Sequence, residues 1–137
     1  MAKITIKSTI HAPIEKVWEY WTGAQHIVNW NFASDDWHCP RAENDLRVGG
    51  KLQSRMESKD GTMGFDFEAT YDEIIEHTKI AYTMPDGRHV VTDFKQGEDG
   101  THITTTFDAE DQNSIEMQRG GWLAILDNFK RYTERTA

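Results

Sequence analysis

The stretch Met63-Gly64-Phe65-Asp66-Phe67-Glu68-Ala69-Thr70-Tyr71-Asp72-Glu73-Ile74-Ile75 decides how this chain folds. Phe65, Phe67, Ala69 and Tyr71 alternate with Asp66, Glu68, Thr70 and Asp72. A period of two sends the first set to one face of a strand and the second set to the other. The run exceeds the usual strand of about 5–6 residues, and its phase slips at Glu73-Ile74-Ile75. Such a slip predicts a bulge, and a bulge bends the strand. A long, bent strand with one aromatic face belongs to a curved sheet.

Working outward, Lys59-Asp60-Gly61 is a hairpin signal that joins this strand to one over Lys51 to Ser58, with Leu52 and Met56 on one face. Downstream, Glu76-His77-Thr78 turns the chain into Ile80, Tyr82 and Met84. Pro85-Asp86-Gly87 leads to a strand over His89 to Lys95, and Gly97-Glu98-Asp99-Gly100 to one over Thr101 to Phe107. Hairpin follows hairpin, so the sheet is antiparallel. At the N-terminus Ile4, Ile6 and Ile10 alternate over Lys3 to Ile10 and supply a sixth strand.

Helical spacing brackets the sheet. Pro13 and Glu15 suit a first helical turn, and Ile14, Val17, Trp18 and Trp21 form a stripe ending near Gly23. A second short helix or turn covers Ala24 to Trp30, and Asn31 to Asp45 reads as irregular. Ile115, Trp122, Ile125, Leu126 and Phe129 share a stripe over Asn113 to Glu134, interrupted by Gly120-Gly121. The expected class is α+β: a curved antiparallel six-stranded sheet around a long C-terminal helix, with two short helices after the first strand.

Composition narrows the function. A chain of 137 residues suits a single domain over residues 1–137. Its net charge of −8, with no Lys/Arg cluster, argues against nucleic acid. No apolar run approaches the ~20 residues of a span, so no membrane insertion is expected. The single Cys39 excludes an internal disulfide, and with no signal pattern after Met1 the expected home is the cytoplasm. Monomer and homodimer both stay open.

Catalytic patterns are thin. None of the six histidines makes an i, i+4 pair on a helix, so neither metal nor cofactor is expected. His38 and Cys39 are adjacent on extended chain and point apart, and Asp66, Glu68 and Asp72 face away from the phenylalanines. Gly49-Gly50 lacks the Lys-Ser/Thr of a phosphate loop. Arg55 and Arg88 read as surface ion-pair residues that would meet an anionic ligand only by facing inward. No catalytic residue is assigned.

The string His11-Ala12-Pro13, Val17-Trp18, Trp30 and Asp45-Leu46-Arg47-Val48-Gly49-Gly50 resembles the START-like (SRPBCC) superfamily. Tyr71-Asp72-Glu73-Ile74, Ile80-Ala81-Tyr82-Thr83, Thr101-His102-Ile103-Thr104 and Gly121-Trp122 continue the pattern. Within the superfamily the chain is similar to the family named for the C-terminal domain of the heat-shock-protein-ninety ATPase activator. The resemblance implies a helix-grip fold with an elongated apolar cavity between sheet and last helix. It implies binding of a hydrophobic small molecule such as a lipid, polyketide or aromatic metabolite. A cyclase- or hydrolase-type enzyme and a co-chaperone-like interaction module are the alternatives.

Within that fold, alternation points Phe65, Phe67 and Tyr71 into the cavity, joined by Met56, Tyr82 and Met84 from neighbouring strands. Met117, Gly121 and Trp122 would join from the helix, with Gly120-Gly121 making room for a ligand, making a close helix–sheet contact or marking a late helix start. Four of the five tryptophans cluster at Trp18, Trp21, Trp30 and Trp37. Trp18 and Trp21 read as ordinary core. Trp30, Phe32 and Trp37 either lid the mouth or anchor their loop.

Overall fold

Alternating burial marks the strands, and the computed structural model, which describes residues 2–137, joins them in one sheet. The strands are β1 (Lys3–Ile10), β2 (Trp37–Asn44), β3 (Lys51–Ser58), β4 (Gly64–Ile75), β5 (Lys79–Thr83), β6 (His89–Gly97) and β7 (Gly100–Asp108). The helices are α1 (Ile14–Thr22), α2 (Ala24–Ile27) and α3 (Ile115–Thr136). Sheet order is β1-β7-β6-β5-β4-β3-β2, with every neighbouring pair antiparallel. Thus β2 to β7 form a meander, and β1 closes onto β7. The short helices connect the two edge strands, with α2 against β2 and α1 against α3, β6 and β7.

The sheet has seven strands rather than the expected six. The extra strand is β2, in the segment read as irregular. Its sequence, Trp-His-Cys-Pro-Arg-Ala-Glu-Asn, lacks alternation, and the register with β3 shifts between His38 and Arg41. Pro40 lies within that shift, on an edge strand, where its missing N–H does least harm.

The long strand bends as its phase slip predicts. The register of β4 with β5 shifts between Tyr71 and Glu73, leaving Asp72 as the additional residue. Asp72 accepts a hydrogen bond from Thr83 Oγ1 at 2.5 Å on the outer face. Phe65, Phe67, Ala69 and Tyr71 stay on the inner face, paired with Met56, Ser54, Leu52 and Tyr82. Beside them Gly49, at φ +84°, and Gly50 exchange backbone hydrogen bonds with Tyr71 at 2.9 and 3.0 Å. The glycine pair therefore serves backbone geometry.

The last helix starts at Ser114, whose side chain accepts a hydrogen bond from the Met117 N–H at 3.1 Å. Buried Gln118 fixes the approach: it accepts from the Glu110 N–H at 2.9 Å and donates to the carbonyls of Glu110 and Asn113 at 3.1 and 2.8 Å. The helix runs unbroken through Gly120 and Gly121, contrary to the expected interruption. A Cβ at either glycine would meet nothing within 4 Å, so neither answers a close helix–sheet contact. The seat of α3 lies along β1 and α1. There Leu126, Phe129 and Thr133 are buried with Ile4, Ile10, Val17 and Ile103.

Candidate functional site

Because α3 rests on β1 and α1, the inner faces of β3, β4 and β5 lack a helix pressed against them. The space left between them is a cavity of about 270 Å³. Leu52 and Met56 of β3, Phe65, Phe67 and Tyr71 of β4, and Ile80 and Tyr82 of β5 form one wall, continued by Met84. Trp122, Ile125 and Leu126 of α3 face them. Trp21, Ile27, Trp30 and Asn31 close the α1–α2 end, and Ile6, Thr92, Thr105 and Arg88 complete the lining.

Aromatic packing fixes these walls. Tyr82 meets Phe67 and Tyr71 edge-on, with ring centroids 5.9 and 6.2 Å apart. Trp122 stacks on Phe107 at 4.0 Å. Trp21 stacks on Trp30 at 5.1 Å, and Phe129 meets both edge-on at 4.8 and 5.0 Å. The Trp30 indole N–H donates to the Tyr20 carbonyl at 3.0 Å, which suits a buried indole.

Polar groups in the lining are few. Tyr71 donates its hydroxyl to Asn44 Oδ1 at 2.6 Å, and burial pushes its pKa up to about 12. Burial raises Tyr82 as well, first by desolvation and then by the neighbouring Tyr71. Both phenols are therefore neutral donors near pH 7. Thr92 and Thr105 bond each other at 3.0 Å, and Asn31 Nδ2 donates to Ser54 Oγ at 3.0 Å. Arg88, whose side chain is 21% exposed, donates from Nε to Asp86 Oδ2 at 2.8 Å. No His, Cys, Asp or Glu of the described residues lines the cavity.

Of the residues expected at the site, Trp30, Met56, Phe65, Phe67, Tyr71, Tyr82, Met84 and Trp122 line the cavity. Phe32, Trp37, Met117 and Gly121 do not. Met117 is 65% exposed, because the first turn of α3 lies beyond the sheet-facing stripe. Gly121 has open space where a side chain would project. Trp37 begins edge strand β2, its ring 6.0 Å from that of half-exposed Phe65. Phe32 follows Trp30 in a loop that Asn128 of α3 holds, donating to the carbonyls of Trp30 and Phe32 at 3.3 and 3.0 Å.

The tryptophans sort differently from the expectation. Trp30 is buried wall rather than lid. Trp18 is core, edge-on to Phe94 at 5.3 Å, whereas Trp21, expected as core, also lines the cavity. Helical spacing placed both on one stripe but could not tell which end of α1 meets the void. Arg88 is the other lining residue left aside as surface. The signal was available: Arg88 lies two residues before Val90 and four before Thr92, in phase with the inner face.

Outside the cavity the remaining candidates have ordinary partners. Arg55 pairs with Glu57 at 3.0 Å and Asp66 at 3.5 Å on the outer face. Burial pushes the Cys39 thiol up, and the thiol donates to the Arg41 carbonyl at 3.4 Å. Among the described residues no group of His, Cys, Asp and Glu is arranged to hold a metal ion. No helix of the described residues is long and apolar enough to cross a membrane.

No curated protein matches the chain. Among solved structures, the AHSA1-like protein from Aeromonas hydrophila is 42% identical, with a TM-score of 0.93 over 98% of this chain and 93% of that one. A Cytophaga hutchinsonii protein is 47% identical, with a TM-score of 0.83 over 97% and 92% of the two chains. A Nitrosomonas europaea protein at 18% identity shares the fold, with a TM-score of 0.84 over 98% and 96%. Residues 11–134 match the family described as Activator of Hsp90 ATPase homolog 1-like protein. With nearly the whole chain matched and the curved sheet closed by a long C-terminal helix, the protein belongs to that family and has its START-like fold.

Proposed function

We propose that this protein binds a hydrophobic small molecule between the inner face of β3–β5 and α3. The observation that carries the reading is the unfilled space of about 270 Å³, lined by three tryptophans, two phenylalanines, two tyrosines and two methionines. Protein interiors are close-packed, so an apolar space of this size between sheet and helix is a place where a ligand adds contacts that the side chains do not make. Methionines at Met56 and Met84 add an adaptable surface.

The size bounds the ligand. Pockets for drug-sized molecules run to roughly 300–1,000 Å³, so this one suits a medium acyl chain or one to two rings. The donors in the wall are neutral hydroxyls, indoles, the Asn31 amide and one guanidinium. That inventory holds no general base near neutral pH, which favours binding over proton-transfer chemistry.

The test is a fluorescence titration with the neutral probe N-phenyl-1-naphthylamine, on wild type and on Ile125→Phe. Ile125 lines the cavity from α3, so a phenyl ring there fills the space. Saturable one-to-one binding by wild type, lost in the filled variant, is expected. No saturable binding, or equal binding by both proteins, contradicts the reading.

A further inference from the structure

The protein carries 23 acidic residues and a net charge of −8, yet no carboxylate of the described residues lines the cavity. Among the described residues its single cationic side chain there is Arg88. An acidic chain whose one charged side chain in the apolar lining is a cation, paired with a carboxylate that lies outside it, sets a polarity for whatever enters.

The turn explains how the guanidinium is held. Asp86 accepts from the Arg88 backbone N–H at 3.1 Å and from Nε at 2.8 Å, which fixes the side chain from one edge. The two Nη groups make no hydrogen bond among the described residues, so the end of the planar fork is open. Asp86 itself lies outside the cavity lining and is more than half exposed. Its charge is therefore screened by water, while Arg88 is largely shielded.

A second donor lies close by. The Met84 N–H bonds the Arg88 carbonyl at 2.9 Å, and Tyr82 pairs with Val90. Tyr82 and Arg88 are thus diagonal neighbours on the inner face, with backbones about 7–8 Å apart, within reach for two long side chains. Tyr71 spends its hydroxyl on Asn44, but the Tyr82 hydroxyl has no hydrogen-bond partner among the described residues. The free Nη groups of Arg88 and the Tyr82 hydroxyl therefore lie on one wall of the cavity, and the only carboxylate on that guanidinium, Asp86, holds its Nε from outside the lining. A ligand group that accepts several hydrogen bonds and carries negative charge completes these donors.

We propose that the cavity takes an anionic amphiphile, a hydrophobic carboxylate whose acid group is received by the Arg88 guanidinium and the Tyr82 hydroxyl while its apolar body lies along Phe67, Met56 and Trp122. This rests on the binding reading above and adds the ligand's charge and orientation. Charge-assisted hydrogen bonds of this kind are the strong ones, and a guanidinium fork matches a carboxylate edge.

Calorimetric titration of the full chain with decanoate and with 1-decanol tests it, since the two differ only in the head. Decanoate binds wild type at least about tenfold more tightly than decanol, the size expected for hydrogen bonds to a charged group. Arg88→Gln removes that advantage, weakening decanoate far more than decanol. Tyr82→Phe weakens decanoate by about tenfold, and decanol by less. Asp86→Asn, which removes the competing negative charge and keeps an oxygen to accept from Nε, tightens decanoate and keeps the test independent of the Arg88 variant's folding. Unchanged or weaker decanoate binding in the Asp86→Asn variant counts against the inference. Equal affinity for the two probes overturns the inference alone, as does an advantage that survives Arg88→Gln. Binding of neither probe overturns the cavity reading and this inference with it.

Discussion

The two halves of α3 face the same sheet and meet different neighbours. Toward the C-terminus, Phe129 is fully buried between Trp21 and Trp30, and α1 closes over it. Toward the N-terminus, Trp122 and Ile125 look across open space at Phe67, Tyr71 and Tyr82. Both ends are rich in aromatic rings, so composition does not separate them. What separates them is the seat of the helix: α3 lies on β1 and α1, and the bend at Asp72 carries β4 along an arc that α3 does not follow. Large side chains fill a space only where two elements approach; where the sheet curves away, the same side chains line a void.

Four substitutions sharpen or break that contrast. The largest effect belongs to the packed end, where Phe129→Ala costs about 3–5 kcal/mol in chemical denaturation. Phe67→Ala at the hollow end costs about 1–2 kcal/mol, because the half-buried ring already borders empty space. Equal losses at the two positions would mean that the ends are equally packed.

A tie at the hollow end gives a pH-dependent effect. Asp108 accepts from Lys3 Nζ at 2.6 Å and from the His89 N–H at 2.9 Å, joining β1 to the start of β6. The Lys3 hydrogen bond, then that of His89, holds its carboxyl below the usual carboxylate range. A depressed folded-state pKa means stability that is present above the unfolded value of about 3.9 and is lost as pH falls through the folded value. Asp108→Asn is therefore less stable than wild type at pH 7 by about 1 kcal/mol. Melts from pH 7 to 2 check the sign: the difference between the two proteins narrows as the pH falls below about 4.

The smallest effect has the opposite sign. Gly120 is exposed in an unbroken helix with open space at its Cβ position. Gly120→Ala stabilises by about 0.5–1 kcal/mol, read as an upward shift in Tm. Ligand affinity stays unchanged, since the residue lies outside the wall. A destabilised alanine variant would reveal a close contact at this turn.

Much of the fold was legible because alternation and turn chemistry act locally. Lys3–Ile10, Lys51–Ser58 and the bend after Tyr71 follow from residue order alone. β2 was not legible: its pairing with β3 is tertiary, and Pro40 with its register shift hides any period. At the site, strand residues such as Phe65, Phe67 and Tyr82 were legible because a period of two fixes the face. Met117 and Gly121 were misplaced because a helix stripe says which side is apolar, and not how far along the helix the sheet remains in reach. Arg88 was set aside for its charge, although its phase already placed it inside.

The tryptophans offer the most direct measurement, because the five indoles are distributed between packed core, cavity wall and outer edge. A two-dimensional nitrogen–proton spectrum recorded during titration with N-phenyl-1-naphthylamine reads all five indole N–H signals together. Binding in the cavity moves the signals of Trp21, Trp30 and Trp122, while Trp18, packed on Phe94, stays in place. A saturating shift confined to Trp18 and Trp37, with Trp30 and Trp122 unmoved, would contradict a ligand site between the sheet and α3.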